Sequence, residues 1–305
     1  MHHVHMGAGV GLPPTIEWVN HAGFLLEADG VGLLSDPWLS GTAFNRGWRH
    51  ISPTRFTLED FARVTHLWFS HQHPDHFAPA DLRRIDPGIR ARIVVLYHHT
   101  IDKKVVRFCE SLGFRELREL RDREWVALSP SVEILCGTWF DRDSWLAVRA
   151  NGTTFLNLND CVVDSPGLAR KIRSLCGNVD VLLTQFSYAE WAGNPEDARL
   201  REASAAEKLR RIRIQCETFE PAWVIPFASF IYWCHPENFF MNDEMNEVLD
   251  VASFIESRLH RRPIVLYPGD RWTAGKPHDW QEAARAYHRD FRDRIAEGAT
   301  EVPKS

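Results

Sequence analysis

Residues 70–76 read SHQHPDH, which places three histidines and one aspartate within six positions in the order His-x-His-x-Asp-His. The apolar, β-prone residues 64–69 that precede them predict a buried strand, so the histidines lie at a strand end. Side chains two residues apart on an extended backbone point the same way, so His71 and His73 can share one metal ion. The aspartate and the last histidine then face a second ion. Imidazole and carboxylate ligands favour zinc, iron or manganese over calcium or magnesium.

The plainer interpretation of this stretch is a histidine-rich surface loop. Histidine accounts for 15 of the 305 residues, so four specified positions would rarely match the pattern by chance. We therefore interpret the stretch as a metal-binding motif that supplies His71, His73, Asp75 and His76 as ligands. Residues 1–13 are interpreted as a flexible tail whose histidines are not ligands.

The composition is that of an ordinary soluble globular protein, with 44% hydrophobic and 25% charged residues in a chain of 305. We expect a single domain over residues 1–305, because no short internal repeat or low-complexity linker divides the chain. A net charge of -5 gives no basic field that would attract nucleic acid. The six cysteines contain no Cys-x-x-Cys pair, which argues against a zinc ribbon or an iron–sulfur cluster. Without a secretory signal or an apolar run of membrane-spanning length, the chain is predicted to be cytoplasmic and not membrane-bound.

Hydrophobic periodicity predicts an α/β chain in which each half runs from strands into helices. Asp29-Gly30 and Asn151-Gly152 are strong signals for hairpin turns. Predicted strands cover residues 15–19, 24–28, 31–34, 92–97, 124–128, 132–136, 144–150, 153–158, 179–184, 222–226 and 264–267. Predicted helices cover residues 79–85, 101–112, 166–175, 196–220, 244–259 and 280–295. Two sheets packed face to face with helices outside account for this order.

Asp160 is the candidate for the ligand that joins the two ions. A two-metal site usually adds a bridging carboxylate, which neutralises charge between the ions and fixes their spacing. Asp160 follows the predicted strand at 153–158, so it lies at a strand end like the histidine motif. The alternative interpretation is an aspartate of a simple turn.

The order of these features resembles the metallo-β-lactamase superfamily. The resemblance covers nearly the whole chain and is carried by three features: a strand ending in His-x-His-x-Asp-His, a later strand ending in aspartate, and a late histidine. It implies an αββα sandwich with a dinuclear metal site between the ends of the two sheets. Residues 20–24 (NHAGF) and 34–39 (LSDPWL) resemble the branch that contains ascorbate-phosphate lactonases and N-acyl-phosphatidylethanolamine phospholipase D.

Two departures from the superfamily pattern change the expected ligands. Most hydrolases of the superfamily have a histidine shortly before the strand that leads to the bridging aspartate, whereas residues 137–145 (GTWFDRDSW) contain none. Asp141 or Asp143 would take its place. Many members also have a final histidine directly after a Pro-x sequence, where this chain has Ala228. The nearest replacement is His235.

A carboxylate in place of an imidazole makes the site harder and more anionic, which favours iron over zinc. In this respect the chain resembles diiron oxygenases built on the same fold, such as the β-hydroxylase of chloramphenicol biosynthesis. It also resembles CMP-N-acetylneuraminate hydroxylases, through residues 157–161 (NLNDC) and through residues 226–228 (PFA) followed by His235-Pro236. The chain has no Cys-x-His pair and therefore no Rieske centre, so electrons would come from an external ferredoxin or reductase.

Five further residues are candidates for positions around the metals or the substrate. His21, which follows a strand, is expected either beside the ligands or as a packed turn residue. Asp36, which precedes a proline, is expected to fix a loop near the metal site. Tyr188, Glu190 and Trp191 follow the predicted strand at 179–184 and are expected to line the substrate pocket.

These features lead to two alternative functions. The first is a non-haem diiron oxygenase that hydroxylates or oxidises a small molecule or sugar nucleotide with O2. One iron would be held by His71, His73 and Asp141 or Asp143, and the other by Asp75, His76 and His235, with Asp160 as the bridge. The second is a hydrolase with two zinc or manganese ions that cleaves a phosphoester, lactone or amide. The residues expected to act directly in catalysis are Asp75, Asp160 and His235.

Overall fold

Two seven-stranded sheets with helices along their outer faces build the fold, which confirms the predicted α/β class and αββα arrangement. The computed structural model describes residues 11–140 and 142–300. Most of the predicted tail, residues 1–10, and Asp141 lie outside the described part of the chain. The strands are β1 (Thr15–Asn20), β2 (Gly23–Ala28), β3 (Val31–Ser35), β4 (Trp48–His50), β5 (His66–Trp68), β6 (Val94–His98), β7 (Glu116–Leu120), β8 (Trp125–Ser129), β9 (Val132–Trp139), β10 (Asp143–Ala150), β11 (Thr153–Asn157), β12 (Val181–Gln185), β13 (Trp223–Phe227), β14 (Ile231–Trp233), β15 (Arg262–Pro263) and β16 (Arg271–Thr273). The α-helices are α1 (Pro79–Arg84), α2 (Pro87–Arg90), α3 (Lys104–Ser111), α4 (Pro166–Cys176), α5 (Ala198–Phe219), α6 (Val248–Leu259) and α7 (Gln281–Glu297).

The strand order brings three loops to one edge of the sandwich. Sheet 1 has the order β16-β1-β2-β3-β5-β6-β7, and sheet 2 has the order β15-β13-β12-β11-β10-β9-β8. Strands β3, β5, β6 and β7 run parallel, as do β11, β12, β13 and β15. The loops that follow β3, β5 and β11 meet, because Asp36 accepts hydrogen bonds from both Ser70 and Asn159. These loops contain the metal-site candidates.

Residues of the central strands alternate between two apolar cores. On β6, Val94 and Leu96 join the core between the two sheets, whereas Val95 and Tyr97 join the core beneath α1 and α3. Helices α4, α5 and α6 contribute their buried residues to the core on the side of sheet 2. Because both faces of such strands are buried, they read as continuous apolar runs and not as alternating ones.

Both predicted hairpin turns are confirmed. Asp29 and Gly30 have φ values of 47° and 73°, and Asn151 and Gly152 have φ values of 46° and 82°. These left-handed conformations are what a two-residue hairpin turn requires.

The strand predicted at 264–267 is wrong. The structure has a short strand at Arg262–Pro263, and the ladder ends when the N–H of Ile264 donates to the carbonyl oxygen of Val224 at 2.9 Å. Residues 264–266 are apolar and buried in the core, but they do not pair with another strand. Strands β4, β7, β14 and β16 were not predicted.

The prediction of a single domain over residues 1–305 stays a prediction. Across residues 11–140 and 142–300, every helix falls short of the length or the apolar character needed to span a bilayer.

Candidate metal centre

The histidine motif follows β5 and turns back on itself. The N–H of His76 donates to the carbonyl oxygen of His73 at 3.0 Å, which closes a tight turn through Pro74. Nε2 of His71 and Nδ1 of His73 face each other at 2.8 Å on one side of the turn. Asp75 and His76 are placed toward a second position, as the motif predicts.

Two carboxylates of sheet 2 reach the first pair of histidines. Nε2 of His71 lies 3.7 Å from Oδ2 of Asp160 and 4.0 Å from Oδ1 of Asp143. Asp143 begins β10 and Asp160 follows β11, its antiparallel neighbour, so both carboxylates leave the same end of sheet 2. We call the group of His71, His73, Asp143 and Asp160 the open position.

His21, Asp75 and His76 form a second group, which we call the buried position. Oδ2 of Asp75 lies 3.2 Å from Nε2 of His21 and 3.2 Å from Nε2 of His76. Nε2 of His76 is also 3.5 Å from Oδ2 of Asp160. The same oxygen of Asp160 therefore neighbours a histidine of each position, which is the placement that a bridging ligand requires.

Asp36 supports one histidine of each position on its Nδ1 side, opposite the Nε2 atom. Its Oδ2 accepts hydrogen bonds from Nδ1 of His76 at 3.0 Å, Oγ of Ser70 at 2.7 Å and Nδ2 of Asn159 at 2.6 Å. Since Ser70 donates its hydroxyl proton to Asp36, its Oγ accepts from Nδ1 of His71 at 2.9 Å. His71 and His76 thus have a proton on Nδ1 and direct Nε2 toward the metal side.

A buried chain of polar groups supports Asp160 from sheet 2. Gln185, the last residue of β12, donates from Nε2 to Oδ1 of Asp160 at 3.2 Å. Lys208 on α5 donates in turn to Oε1 of Gln185. Burial, together with a smaller effect of the nearby Arg211, lowers the pKa of Lys208 to about 8. The ammonium group orients the amide so that its N–H faces the carboxylate.

Burial and the neighbouring charges set the protonation of the candidate ligands. Burial lowers the pKa of His71 to about 3, so this imidazole is neutral, which is the form that binds metals. Burial raises the pKa of Asp160, but His76 and His71 outweigh it and lower the pKa to about 2. Burial lowers the pKa of His76, but Asp75 and Asp160 outweigh it and raise the pKa well above its ordinary value. A bound cation would displace that proton, because the ligand atom is the same.

The donor atoms fit a pair of transition-metal ions. Two sets of ligand atoms, each within 4.8 Å of one another, overlap at His76: His21, Asp75 and His76 form one, and His71, His76 and Asp160 form the other. Within the described residues, Oδ1 of Asp75 and Nε2 of His76 are buried polar atoms without a hydrogen-bond partner. Since buried polar atoms are normally paired, a cation would satisfy them. Mixed imidazole and carboxylate ligands suit iron, manganese or zinc.

A family profile described as the beta-lactamase superfamily domain matches residues 15–200, more than half of the chain. The chain belongs to the beta-lactamase superfamily. The matched residues include the histidine motif, Asp143 and Asp160, so the resemblance seen in the sequence is confirmed.

Relatives within the superfamily include proteins named for oxidative chemistry. The chain is 28% identical over 278 residues to a protein of Mycolicibacterium smegmatis that is named as a Rieske 2Fe-2S iron-sulfur protein, and the match covers 82% of this chain and 52% of that protein. It is 22% identical over 260 residues to the cytidine monophosphate-N-acetylneuraminic acid hydroxylase of Danio rerio, covering 77% of this chain and 42% of the hydroxylase. The chain therefore spans about half the length of the relatives it matches.

Solved structures with the superfamily fold include both oxygenases and hydrolases. CmlA, a diiron β-hydroxylase from Streptomyces venezuelae, matches with a TM-score of 0.55 and 19% identity over 95% of this chain and 52% of that chain. The isothiocyanate hydrolase from Delia radicum gut bacteria matches with a TM-score of 0.57 and 14% identity over 85% of this chain and 98% of that chain. At these identities the likeness establishes the fold.

His235, predicted to bind the second metal, belongs to neither position. It lies in the turn after β14, where its Nδ1 accepts from the N–H of Glu237 at 3.2 Å and its own N–H donates to Oδ1 of Asn238 at 3.1 Å. Strand β14 pairs with β4 and not with sheet 2, so the chain has left the ligand-bearing edge before it reaches His235.

The three residues expected to line a substrate pocket lie in different environments. Tyr188 is fully buried, and its hydroxyl donates to the carbonyl oxygen of Met241 at 2.5 Å, so its contacts are structural. Glu190 is exposed. Trp191 is exposed and packs edge-on against Phe240, with ring centroids 5.5 Å apart. A substrate contact stays a prediction for Glu190 and Trp191.

Gln185 and Lys208 are site residues that reasoning from the sequence missed. Gln185 lies one residue beyond the predicted strand 179–184, at the edge where the other ligands gather. Lys208 is spaced three residues from Ala205 and four from Ile212, and all three are buried. That helical spacing places Lys208 on the inward face of α5, which is a signal that the sequence contained.

Proposed function

We propose that this protein is a non-haem diiron oxygenase that hydroxylates or oxidises a small molecule or sugar nucleotide with O2. The observation that carries the proposal is the carboxylate of Asp143, whose Oδ1 lies 4.0 Å from Nε2 of His71 at the open position. With two imidazoles and two carboxylates, the open position is more anionic than a three-histidine site, which favours iron and stabilises its oxidised form. Iron in such a site supplies activation of O2 for attack on a C–H or N–H bond.

The residues have separate tasks in this proposal. His71, His73 and Asp143 would hold the ion at the open position, and Asp160 would be the ligand shared with the buried position. The side chains of Asp143 and Asp160 are 27% and 23% exposed, so a substrate approaches from their side. Asp36 keeps the proton of His76 on Nδ1, which leaves Nε2 available as a ligand.

The proposal requires an electron donor outside the metal centre. We infer that a ferredoxin, a reductase or a Rieske-type iron–sulfur protein supplies the electrons. The name of the M. smegmatis relative supports a Rieske-type donor, and that protein is about twice as long as its matched region.

Metal analysis of protein purified without O2 tests the proposal. We expect two irons per chain and, after exposure to O2, an absorption band of oxo-bridged ferric iron that disappears on reduction. Two zincs per chain, with turnover of a phosphodiester or lactone that does not depend on iron, would instead assign a hydrolase.

The variant Asp143→His tests the carboxylate that carries the proposal. Restoring an imidazole at the open position should shift the bound Fe-to-Zn ratio about tenfold toward zinc when both are supplied equally. Asp122→His is the matched control, because Asp122 accepts from the N–H of Thr138 on the adjoining strand and takes no part in the cluster. An unchanged ratio in Asp143→His would contradict the proposed role of the carboxylate.

A further inference from the structure

His21 occupies a backbone position that is unfavourable for a histidine. It begins the two-residue turn between β1 and β2, where Asn20 pairs with Gly23, and its φ is 42°. This left-handed region favours glycine, because a side chain there is crowded against the backbone. Strained residues of this kind persist where the side chain has a task that the surrounding structure enforces.

The imidazole of His21 converges with two other ligand atoms. Its Nε2 is 3.2 Å from Oδ2 of Asp75, and Nε2 of His76 is 3.2 Å from the same oxygen. The rings of His21 and His76 are 5.6 Å apart between centroids and are inclined by 68°. Two imidazole nitrogens thus flank one carboxylate oxygen, and all three ligand atoms lie within 4.8 Å of one another.

The surroundings hold the His21 side chain in this orientation. Its N–H donates to Oδ1 of Asn20 at 2.9 Å, and its carbonyl oxygen accepts from the N–H of Ala228 at 3.1 Å. The ring of Trp38 packs edge-on against it at 5.9 Å, and the ring of His50 lies 3.8 Å from that of Trp38 and 6.5 Å from that of His21. His21 is 1% exposed, so any partner of its Nε2 is a buried group.

We propose that His21 is the third protein ligand of the buried position and binds, through Nε2, the divalent metal ion that Asp75 and His76 also bind. The inference rests on the dinuclear centre of the proposed function but does not depend on whether the chemistry is oxidative. It also accounts for Ala228, which stands where the resemblance leads us to expect a histidine. The backbone of Ala228 contacts that of His21, so an imidazole enters the same corner from sheet 1.

Metal titration of the 305-residue chain tests this assignment. With Co2+ alone as the probe, the unmodified protein should bind two ions, and His21→Asn should bind the second ion at least tenfold more weakly. Asparagine tolerates positive φ, so this variant keeps the turn. His235→Asn is the matched control and should bind both ions as the unmodified protein does. Unchanged binding by His21→Asn, or a weakened second site only in His235→Asn, would overturn the assignment.

Nitrogen NMR of the unmodified chain gives a second test, which needs no variant and therefore does not depend on whether a variant folds. With 15N-labelled histidine and two equivalents of Zn2+, Nε2 of His21 should lose its proton and move to the chemical shift of a metal-bound nitrogen. If two zincs bind and Nε2 of His21 keeps its proton, His21 only donates a hydrogen bond to Asp75. The assignment of His21 as a ligand would then be wrong, while the dinuclear centre would stand. Binding of fewer than two zincs would overturn the dinuclear centre, and the inference with it.

Discussion

The open and buried positions share one carboxylate but differ in their access to solvent. His21, Asp75 and His76 are 1%, 2% and 0% exposed, whereas the side chains of Asp143 and Asp160 are 27% and 23% exposed. An ion at the buried position would be surrounded by fixed protein groups, whereas an ion at the open position would have room for exchangeable partners. Under the proposed function we therefore expect a structural role for the buried position and substrate chemistry at the open one.

The supports of the two positions also differ in how directly they act. Asp36 accepts directly from Nδ1 of His76 at the buried position, but it reaches His71 at the open position only through Oγ of Ser70. The shared Asp160 is supported through Gln185 by Lys208 on α5. Changes in each support should therefore affect the two positions unequally.

Removal of the shared carboxylate is expected to have the largest effect. Asp160→Ala takes a ligand from both positions, so the chain should no longer hold a pair of ions. Because a change behind a ligand typically lowers metal affinity 10- to 100-fold, loss of the ligand itself should lower the affinity for the second ion by at least about a hundredfold. Elemental analysis after gel filtration measures this. Asp164→Ala, in the same loop, is the control, and two ions retained in Asp160→Ala would contradict the bridging assignment.

A change behind the buried position should have a smaller and more selective effect. In Asp36→Asn an amide replaces a carboxylate that accepts hydrogen bonds from His76, Ser70 and Asn159. The NH2 group of the new amide would then face groups that are themselves hydrogen-bond donors. We expect a loss of about 3 kcal/mol in the free energy of unfolding and a 10- to 100-fold loss of affinity at the buried position.

The variant Asp81→Asn separates the loss of stability from the loss of metal affinity that we expect in Asp36→Asn. Asp81 is equally buried and accepts from the N–H groups of Leu39 and Ser40, at 2.8 and 3.2 Å, but contacts none of the ligands. Urea unfolding should show a loss of stability in Asp81→Asn, while calorimetric titration with Co2+ should show normal affinity. Equal losses of metal affinity in both variants would mean that Asp36 acts only through general stability.

The smallest expected effect on the metal centre is that of Lys208, whose contribution to stability depends on pH. Burial lowers its pKa to about 8 from the ordinary 10.5, so between these values the folded protein has released a proton that the unfolded chain still holds. The contribution of this group to stability therefore rises with pH across that window and is unfavourable below it. Relative to Lys208→Met, the metal-free unmodified chain should gain up to about 3 kcal/mol between pH 8 and 10.5.

Urea unfolding at several pH values measures this gain. Lys171→Met, at an exposed position on α4, should run parallel to the unmodified protein throughout. The same parallel course in Lys208→Met would show that Lys208 keeps its proton in the folded state.

The ligand-bearing loops could be predicted because each follows a strand that the sequence makes recognisable. The apolar run before the motif, the hairpin at Asn151-Gly152 and the strand before Asp160 are local features, and local propensity and periodicity describe them. His235 was chosen because it is the histidine nearest in the sequence to Ala228, where the superfamily pattern has its final histidine. The structure places it elsewhere because β14 pairs with β4, and such a pairing between distant segments has no local signal.

The sequence by itself determined the superfamily, the two-sheet architecture and the candidate ligands of the histidine motif, because these depend on short-range order within single strands and turns. Only the tertiary structure decided which distant residues meet at the site. His21, from the turn after β1, contacts Asp75, and Asp143 faces His71. Lys208 supports Asp160 through Gln185. These contacts join residues that are between 23 and 72 positions apart in the sequence. They arise when the two sheets close on a common core, which is a property of the whole chain and not of any segment.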